Sequence, residues 1–137
     1  MDYQTILVTV KNRIATVTLN RPEYSNAFAR ESYVEIANAM KDLGSRRDVG
    51  SIVVTGAGRH FSAGGDIKRF KALIDSKEYL DGDSVADAGN MSIAIRECPK
   101  PVIAMINGVA TGAGLSCALA CDFRVVAPSS KMIMAFV

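Results

Sequence analysis

Two glycine-rich junctions contain the residues of this chain that are best placed to do chemistry. The first junction, residues 58–67, reads GRHFSAGGDI, and the second junction, residues 108–115, reads GVATGAGL. Each follows an apolar, strand-like run and leads into a helix-like run. Backbone N–H groups left unpaired at such helix starts can point together at one negatively charged oxygen. Two opposed donors of this kind form an oxyanion hole from main chain alone, which predicts enolate or oxyanion chemistry.

Other glycine-rich sites fit these junctions poorly. In a dinucleotide-binding loop that began at Gly56, the third glycine of the G-x-G-x-x-G pattern would fall at Phe61. A phosphate loop would need a Lys-Ser or Lys-Thr pair after Gly114, and none follows it. Residues 63–66 taken alone could also be a tight turn with a helix-capping aspartate. The presence of the second junction favours a paired donor site.

Size, charge and cysteine content restrict the class of protein. A chain of 137 residues that is 49% hydrophobic is expected to form one domain with a real core. Its 16 lysines and arginines and 14 aspartates and glutamates are interspersed, so no nucleic-acid partner is expected. Cys98, Cys117 and Cys121 show neither metal-ligand spacing nor an even disulfide count, and the start of the chain lacks a signal-peptide pattern. We therefore expect a cytoplasmic protein without a metal, and no apolar run reaches the roughly 20 residues of a membrane span.

The elements that must position the junctions alternate between strands and helices. Alternating or continuous apolar runs predict strands at residues 6–10, 14–19, 52–55, 102–106 and 123–126, with another starting at 131–137. Helical spacing of apolar residues predicts helices at residues 30–43, from 67 onward, at 85–96 and at 113–120. Asp66 is placed to cap the second of these helices. The alternation predicts an α/β domain whose helices pack outside stacked strands.

The ordered motifs resemble the crotonase superfamily, the enoyl-CoA hydratase and isomerase family. The resemblance is carried by NRPEYSNA at residues 20–27, FSAGGDI at 61–67, KPVIAMING at 100–108, and GAGL with ACD at 112–115 and 120–122. It implies a crotonase-like spiral of repeated strand-strand-helix turns over residues 1–137. The family's C-terminal helical region is absent from this sequence, so we expect a domain that is incomplete at its C-terminus. The resemblance also implies an acyl-CoA thioester as the partner molecule, with coenzyme A arriving as part of the substrate and no separate cofactor.

The resemblance assigns site residues by their position in these motifs. It places the two backbone donors of the oxyanion hole at Ala63 and Ala113. Residues that it places around the substrate are Asn26, Ala27, Ala63, Gly64, Gly65, Asp66, Ile67, Gly112 and Ala113. Donors of this type stabilise the charge that a thioester oxygen gains as the α-proton leaves, more than they stabilise the ground state.

The helix that follows the first junction is expected to border the acyl group. Phe70, Leu73 and Ile74 make one apolar face of that helix, which fits an acyl pocket. Lys68 and Arg69 could meet the phosphates of coenzyme A, although exposed helix cations without a special role are equally expected.

The chain departs from the family at the catalytic acids. Hydratases of this family carry two catalytic glutamates, and the matching positions are Ser116 and Phe136. Neither side chain transfers a proton as a carboxylate does. We therefore expect isomerase-like chemistry in fatty-acid or aromatic metabolism. The carboxylate that moves the proton is expected outside residues 1–137. A full-length form is expected to be a homotrimer or hexamer. The alternatives are a non-catalytic acyl-CoA-binding or subunit-interaction module and an inactive fragment.

Overall fold

A computed structural model describes residues 2–136 as an α/β fold. The strands are β1 (Ile6–Lys11), β2 (Ile14–Leu19), β3 (Ser51–Gly56), β4 (Val102–Ile106), β5 (Ala110–Thr111), β6 (Phe123–Val126) and β7 (Met132–Ile133). The helices are α1 (Arg30–Ser45), α2 (Ile67–Ser76), α3 (Gly82–Arg96) and α4 (Ala113–Ala120), and a short 3₁₀ turn spans Pro22–Tyr24. The predicted α/β class and the order of strands and helices are confirmed.

The strands form a five-stranded sheet and a two-stranded sheet. The larger sheet has the order β1-β2-β3-β4-β6, with β1 and β2 antiparallel and the other neighbours parallel. Strands β5 and β7 pair in parallel to form the smaller sheet. Because parallel strands end at the same edge of a sheet, β3 and β4 deliver the two junctions to neighbouring positions.

The core lies between the inner face of the larger sheet and the helices. Every second residue of β2 is buried, namely Ala15, Val17 and Leu19, which is the period of a strand with one covered face. Helix α1 buries Ile36, Met40 and Leu43 at helical spacing and packs along α3. None of the helices in residues 2–136 combines the length and the hydropathy that a bilayer crossing requires.

The structure differs from the predicted elements in three places. Helix α3 begins at Gly82 rather than Val85, because the Asp81 carboxylate caps it by accepting the Ser84 N–H at 2.6 Å. The strand predicted at residues 131–137 is limited to Met132–Ile133 within the described chain, and Val137 lies outside the described residues. Strand β5 was not predicted, because two residues are too few to show a period.

Candidate active site

The first junction is held in place by residues 25–28, which run beside it and which we call the bracing segment. Phe28 and Gly65 form a bridge of the parallel type. The Phe28 N–H donates to the Gly64 carbonyl at 2.6 Å, and the Asp66 N–H donates to the Phe28 carbonyl at 3.2 Å. These two bonds fix the end of the first junction against a segment much earlier in the chain.

The same bonds set the direction of the Gly65 N–H. In a planar trans peptide the carbonyl and the N–H point in opposite directions. Because the Gly64 carbonyl points at Phe28, the Gly65 N–H of the same peptide unit points away from the bracing segment. That N–H has no acceptor among residues 2–136, and Gly65 is partly exposed. It is therefore a main-chain donor that the described part of the protein leaves unused.

The N–H of Ala63 is engaged elsewhere. It donates to the Ser25 carbonyl at 3.0 Å. This bond argues against the predicted role of Ala63 as the first oxyanion donor, because a donor used by the protein is not offered to a ligand. The unpaired group of the first junction belongs to Gly65, which the sequence placed beside the substrate but not among the donors.

Asn26 supports the junction from inside the protein. The residue is only 2% exposed. Its amide oxygen accepts the Arg21 N–H at 2.9 Å, and its amide nitrogen donates to the carbonyls of Ala57 at 2.9 Å and His60 at 2.8 Å. The side chain is therefore occupied by the protein, and a place for Asn26 beside a substrate stays a prediction. Ala27 is buried as well.

Asp66 begins α2 as its predicted N-cap, and the structure confirms this role. One carboxylate oxygen accepts the Lys68 N–H at 3.0 Å, and the other pairs with the Arg21 guanidinium at 3.3 Å. That guanidinium also lies 4.5 Å from the centre of the Tyr24 ring, and the Lys68 ammonium lies 5.4 Å from it. Two cations therefore lie beside the first junction, with Arg21 mostly buried in its ion pair with Asp66 and Lys68 at the surface. Ile67, the first residue of α2, is exposed.

The apolar face of α2 lies at the surface beside the Gly65 donor. A Cβ built on Gly65 would lie 2.7 Å from Cε2 of Phe70, so this ring covers the glycine. No residue of α2 is buried, and Ile74 is 74% exposed. Arg69 donates to the Ser84 hydroxyl at 2.8 Å and so ties α2 to α3. The exposed apolar face is suited to contact with an acyl chain.

The second junction ends at the start of α4. Its Gly112 N–H donates to the Ile133 carbonyl at 3.3 Å, which attaches the junction to β7. Ala113 is the first helical residue, and its N–H has no acceptor within the described part of the chain. The positive end of the helix dipole adds to this donor. Ala113 is partly exposed, so its N–H is also available to a ligand.

The two junctions touch at their glycines. A Cβ built on Gly64 would lie 2.8 Å from the Thr111 carbonyl oxygen and 3.3 Å from the Ala113 nitrogen. A Cβ built on Gly114 would lie 2.6 Å from both the Cβ and the carbonyl oxygen of Ser62. Only glycine permits so close an approach of the two main chains. The N–H groups of Gly65 and Ala113, which are unpaired within residues 2–136, are thereby brought to adjoining loops.

The positions predicted for the family glutamates hold no acid or base. The Ser116 hydroxyl lies 3.4 Å from the Gly112 carbonyl oxygen within its own helix, and Phe136 is 66% exposed in a turn after β7. Burial raises the pKa of the Cys117 thiol well above its usual range and the pKa of the Cys121 thiol to about 12. Both thiols therefore stay protonated and unreactive at neutral pH.

Across residues 2–136, no three or more His, Cys, Asp or Glu side chains are grouped so as to hold a metal ion.

Comparison with known proteins agrees with the family resemblance. The family model for enoyl-CoA hydratase/isomerase matches residues 9–137. The chain is 36% identical to the trans-2-decenoyl-[acyl-carrier-protein] isomerase of Streptococcus mutans, an alignment that covers 100% of this chain and 52% of the relative. It is 37% identical to the 1,2-epoxyphenylacetyl-CoA isomerase of Escherichia coli, covering 96% of this chain and 50% of that protein.

Solved structures share the fold. The crystal structure of an enoyl-CoA hydratase from Polaromonas sp. JS666 superposes with a TM-score of 0.89 at 36% identity, covering 96% of this chain and 51% of that one. The predicted crotonase-like fold is confirmed by this similarity. The chain spans about half the length of the curated relatives it matches.

Proposed function

The chain belongs to the enoyl-CoA hydratase/isomerase family, and on that premise we propose that it forms the thioester-binding half of an acyl-CoA enzyme. The thioester oxygen accepts hydrogen bonds from the N–H groups of Gly65 and Ala113. Charge builds on that oxygen as the α-proton leaves, and donors aimed at it in advance stabilise the enolate. The acyl group lies along the exposed apolar face of α2, and the coenzyme A phosphates lie near Arg21 and Lys68.

One observation supports this proposal above the others. Gly65 and Ala113 are partly exposed, their N–H groups have no acceptor within residues 2–136, and they lie on loops that touch each other. Gly65 takes the place of Ala63 as the first donor, because the Ala63 N–H is bonded to Ser25. The two thiols of α4 stay protonated and so supply no competing nucleophile.

The proton is carried by a carboxylate that we place outside residues 1–137. Ser116 and Phe136 lack an ionisable group, and the Asp66 carboxylate is engaged by the cap of α2 and by Arg21. Chemistry of the isomerase type, which moves a proton within the acyl group, is therefore favoured over hydration by a glutamate pair. Proteins named as isomerases and as enoyl-CoA hydratases both occur among the relatives, so this preference rests on the missing glutamates.

The acyl carrier can be coenzyme A or a protein. The Streptococcus mutans relative is named for an acyl-carrier-protein substrate, and α2 with the residue after it presents four cations and one carboxylate, Lys68, Arg69, Lys71, Lys77 and Asp75. A basic surface attracts an acidic carrier as well as nucleotide phosphates. Assembly as a homotrimer or hexamer, the cytoplasmic setting, and a role in fatty-acid or aromatic metabolism stay predictions.

The decisive experiment removes one donor without disturbing the helix that carries it. Ala113 is the first residue of α4, a position where proline is well tolerated and where its missing N–H breaks no helical bond. In the native protein, Ala113→Pro should lower the rate of enoyl isomerisation by a factor of about 10²–10³. Ala113→Ser keeps the N–H and should stay near the wild-type rate.

Both variants are assayed with the same enoyl group on coenzyme A and on acyl-carrier protein, and circular dichroism verifies their folding. A folded Ala113→Pro variant with undiminished turnover would contradict the mechanism. If the wild-type protein binds acyl-CoA and turns over neither carrier, the non-catalytic binding module replaces the enzyme.

A further inference from the structure

The Ser62 hydroxyl joins the bracing segment to the first junction. Ser62 is fully buried. Its Oγ donates to the Asn26 carbonyl at 2.8 Å and accepts the Gly64 N–H at 3.2 Å. One hydroxyl thus connects a residue of the bracing segment with the residue that immediately precedes the Gly65 donor.

This hydroxyl completes the fixation of Gly64. The Gly64 N–H is held by Ser62 Oγ, and its carbonyl is held by the Phe28 N–H at 2.6 Å. Both peptide units that flank the Gly64 Cα are therefore anchored, with Gly64 at a φ of +89° that other residues rarely adopt. Because the second of these units contains the Gly65 N–H, loss of the Ser62 hydroxyl frees one of the two anchors that aim this donor.

The main chain of Ser62 is bonded to the second junction. Its N–H donates to the Val109 carbonyl at 3.0 Å, and its carbonyl accepts the Thr111 N–H at 3.0 Å. A Cβ built on Gly114 would lie 2.7 Å from the Ser62 hydroxyl oxygen, so position 114 has no room for a side chain. Ser62 is therefore the residue at which the bracing segment and both junctions meet.

We propose that Ser62 is a positioning residue of the oxyanion site. Its hydroxyl holds Gly64 so that the Gly65 N–H is directed at the same oxygen as the Ala113 N–H. This inference rests on the proposed function, and Ser62 acts through Gly64 without touching the substrate. Displacement of a donor by about 1 Å is enough to lower a rate by about 10²-fold.

The test compares Ser62→Ala with Ser62→Cys in the protein as its source produces it. Alanine removes the oxygen and adds no volume, whereas cysteine keeps a weak donor and acceptor at the same place. Ser32→Ala is the matched control, because Ser32 is also buried and its Oγ accepts the Ala29 N–H at 3.2 Å, in α1. Each protein is titrated with an enoyl-CoA and with the thioether analogue in which a methylene replaces the carbonyl.

We expect Ser62→Ala to lower kcat by about 10–100-fold while the affinity for the thioether changes less than about twofold. The infrared carbonyl stretch of the bound thioester should move toward its value in water, because the oxygen is polarised less. Ser62→Cys should recover part of both effects. Ser32→Ala should lower the midpoint of denaturation without changing kcat or the carbonyl stretch.

Two results would overturn the positioning role of Ser62 without affecting the proposed function. One is a wild-type carbonyl stretch and kcat in Ser62→Ala. The other is an equal loss of affinity for thioester and thioether, which would mean a purely structural role. If Ser62→Ala does not fold, the carbonyl stretch and kcat of Ser62→Cys decide instead. A wild-type protein that shows neither turnover nor a shifted carbonyl stretch would instead overturn the proposed function, and this inference with it.

Discussion

The helices that follow the two junctions are packed in opposite ways. Helix α2 begins with a side-chain cap at Asp66 and buries none of its residues. Helix α4 begins without a side-chain cap and buries Gly114, Leu115, Cys117, Ala118 and Ala120. The donor of the first junction precedes its helix and is aimed by hydrogen bonds from residues 25–28, whereas the donor of the second junction is the first residue of its helix.

The difference shows two ways of fixing a main-chain donor. Hydrogen bonds to the bracing segment hold Gly65 independently of α2, so α2 can stay at the surface and offer its apolar face to a ligand. Ala113 is part of α4, so its position is only as firm as the packing of that helix. A rigid donor pair therefore needs a buried α4 but does not need a buried α2.

The largest expected effect comes from truncating one apolar residue on each helix. Leu115→Ala on α4 removes a side chain that is 4% exposed and should lower the free energy of unfolding by about 2–5 kcal/mol. Ile74→Ala on α2, where the side chain is 74% exposed, should change it by less than about 0.5 kcal/mol. Urea denaturation measures the free energy of unfolding of both variants. Equal losses would mean that α2 is packed in solution, and the contrast between the helices would fail.

Two glycine replacements test the close contact between the junctions. Gly114→Ala places a Cβ 2.6 Å from Ser62 atoms, and overpacking of this kind costs about 1–3 kcal/mol. Gly89→Ala is the matched control, because nothing lies within 4 Å of the new Cβ in the interior of α3. That change should stabilise the protein by up to about 1 kcal/mol, since alanine favours a helix. Thermal denaturation should show shifts of opposite sign, and shifts of the same sign would contradict the close contact.

The smallest expected effect concerns the side-chain cap that α2 has and α4 lacks. Asp66→Ala should cost about 1 kcal/mol, because it removes the oxygen that accepts the Lys68 N–H. Asp66→Asn keeps a capping oxygen and loses only the ion pair with Arg21, so it should cost less. Hydrogen exchange of the α2 amides and the unfolding midpoint measure both variants. An asparagine variant as unstable as the alanine variant would assign the effect to the ion pair.

Local sequence was sufficient for most elements of the fold. Helix α1 was predicted at residues 30–43 and spans Arg30–Ser45, because its apolar spacing and its length leave little ambiguity. The Asp66 cap followed from a short polar residue before an apolar periodic run. The sequence predicts α3 only from residue 85, where its helical pattern begins, whereas the Asp81 cap starts the helix at Gly82.

The site was predicted less completely, for a physical reason. Glycine spacing located both junctions, but which N–H is free depends on pairing with the bracing segment. In a regular strand, N–H groups two residues apart point to the same side. The positive φ of Gly64 interrupts that regularity between Ala63 and Gly65, so one N–H meets Ser25 and the other does not. No local pattern reveals such a distant partner.

A donor pair made of peptide groups has a consequence for how descendants of this sequence can diverge. Every residue except proline carries a backbone N–H, so almost any substitution at Ala113 retains the donor there. The side chains on the exposed face of α2 can change without removing either donor. Natural variation can therefore alter which acyl group is accepted, while the means of holding a charged oxygen is inherited with the backbone itself.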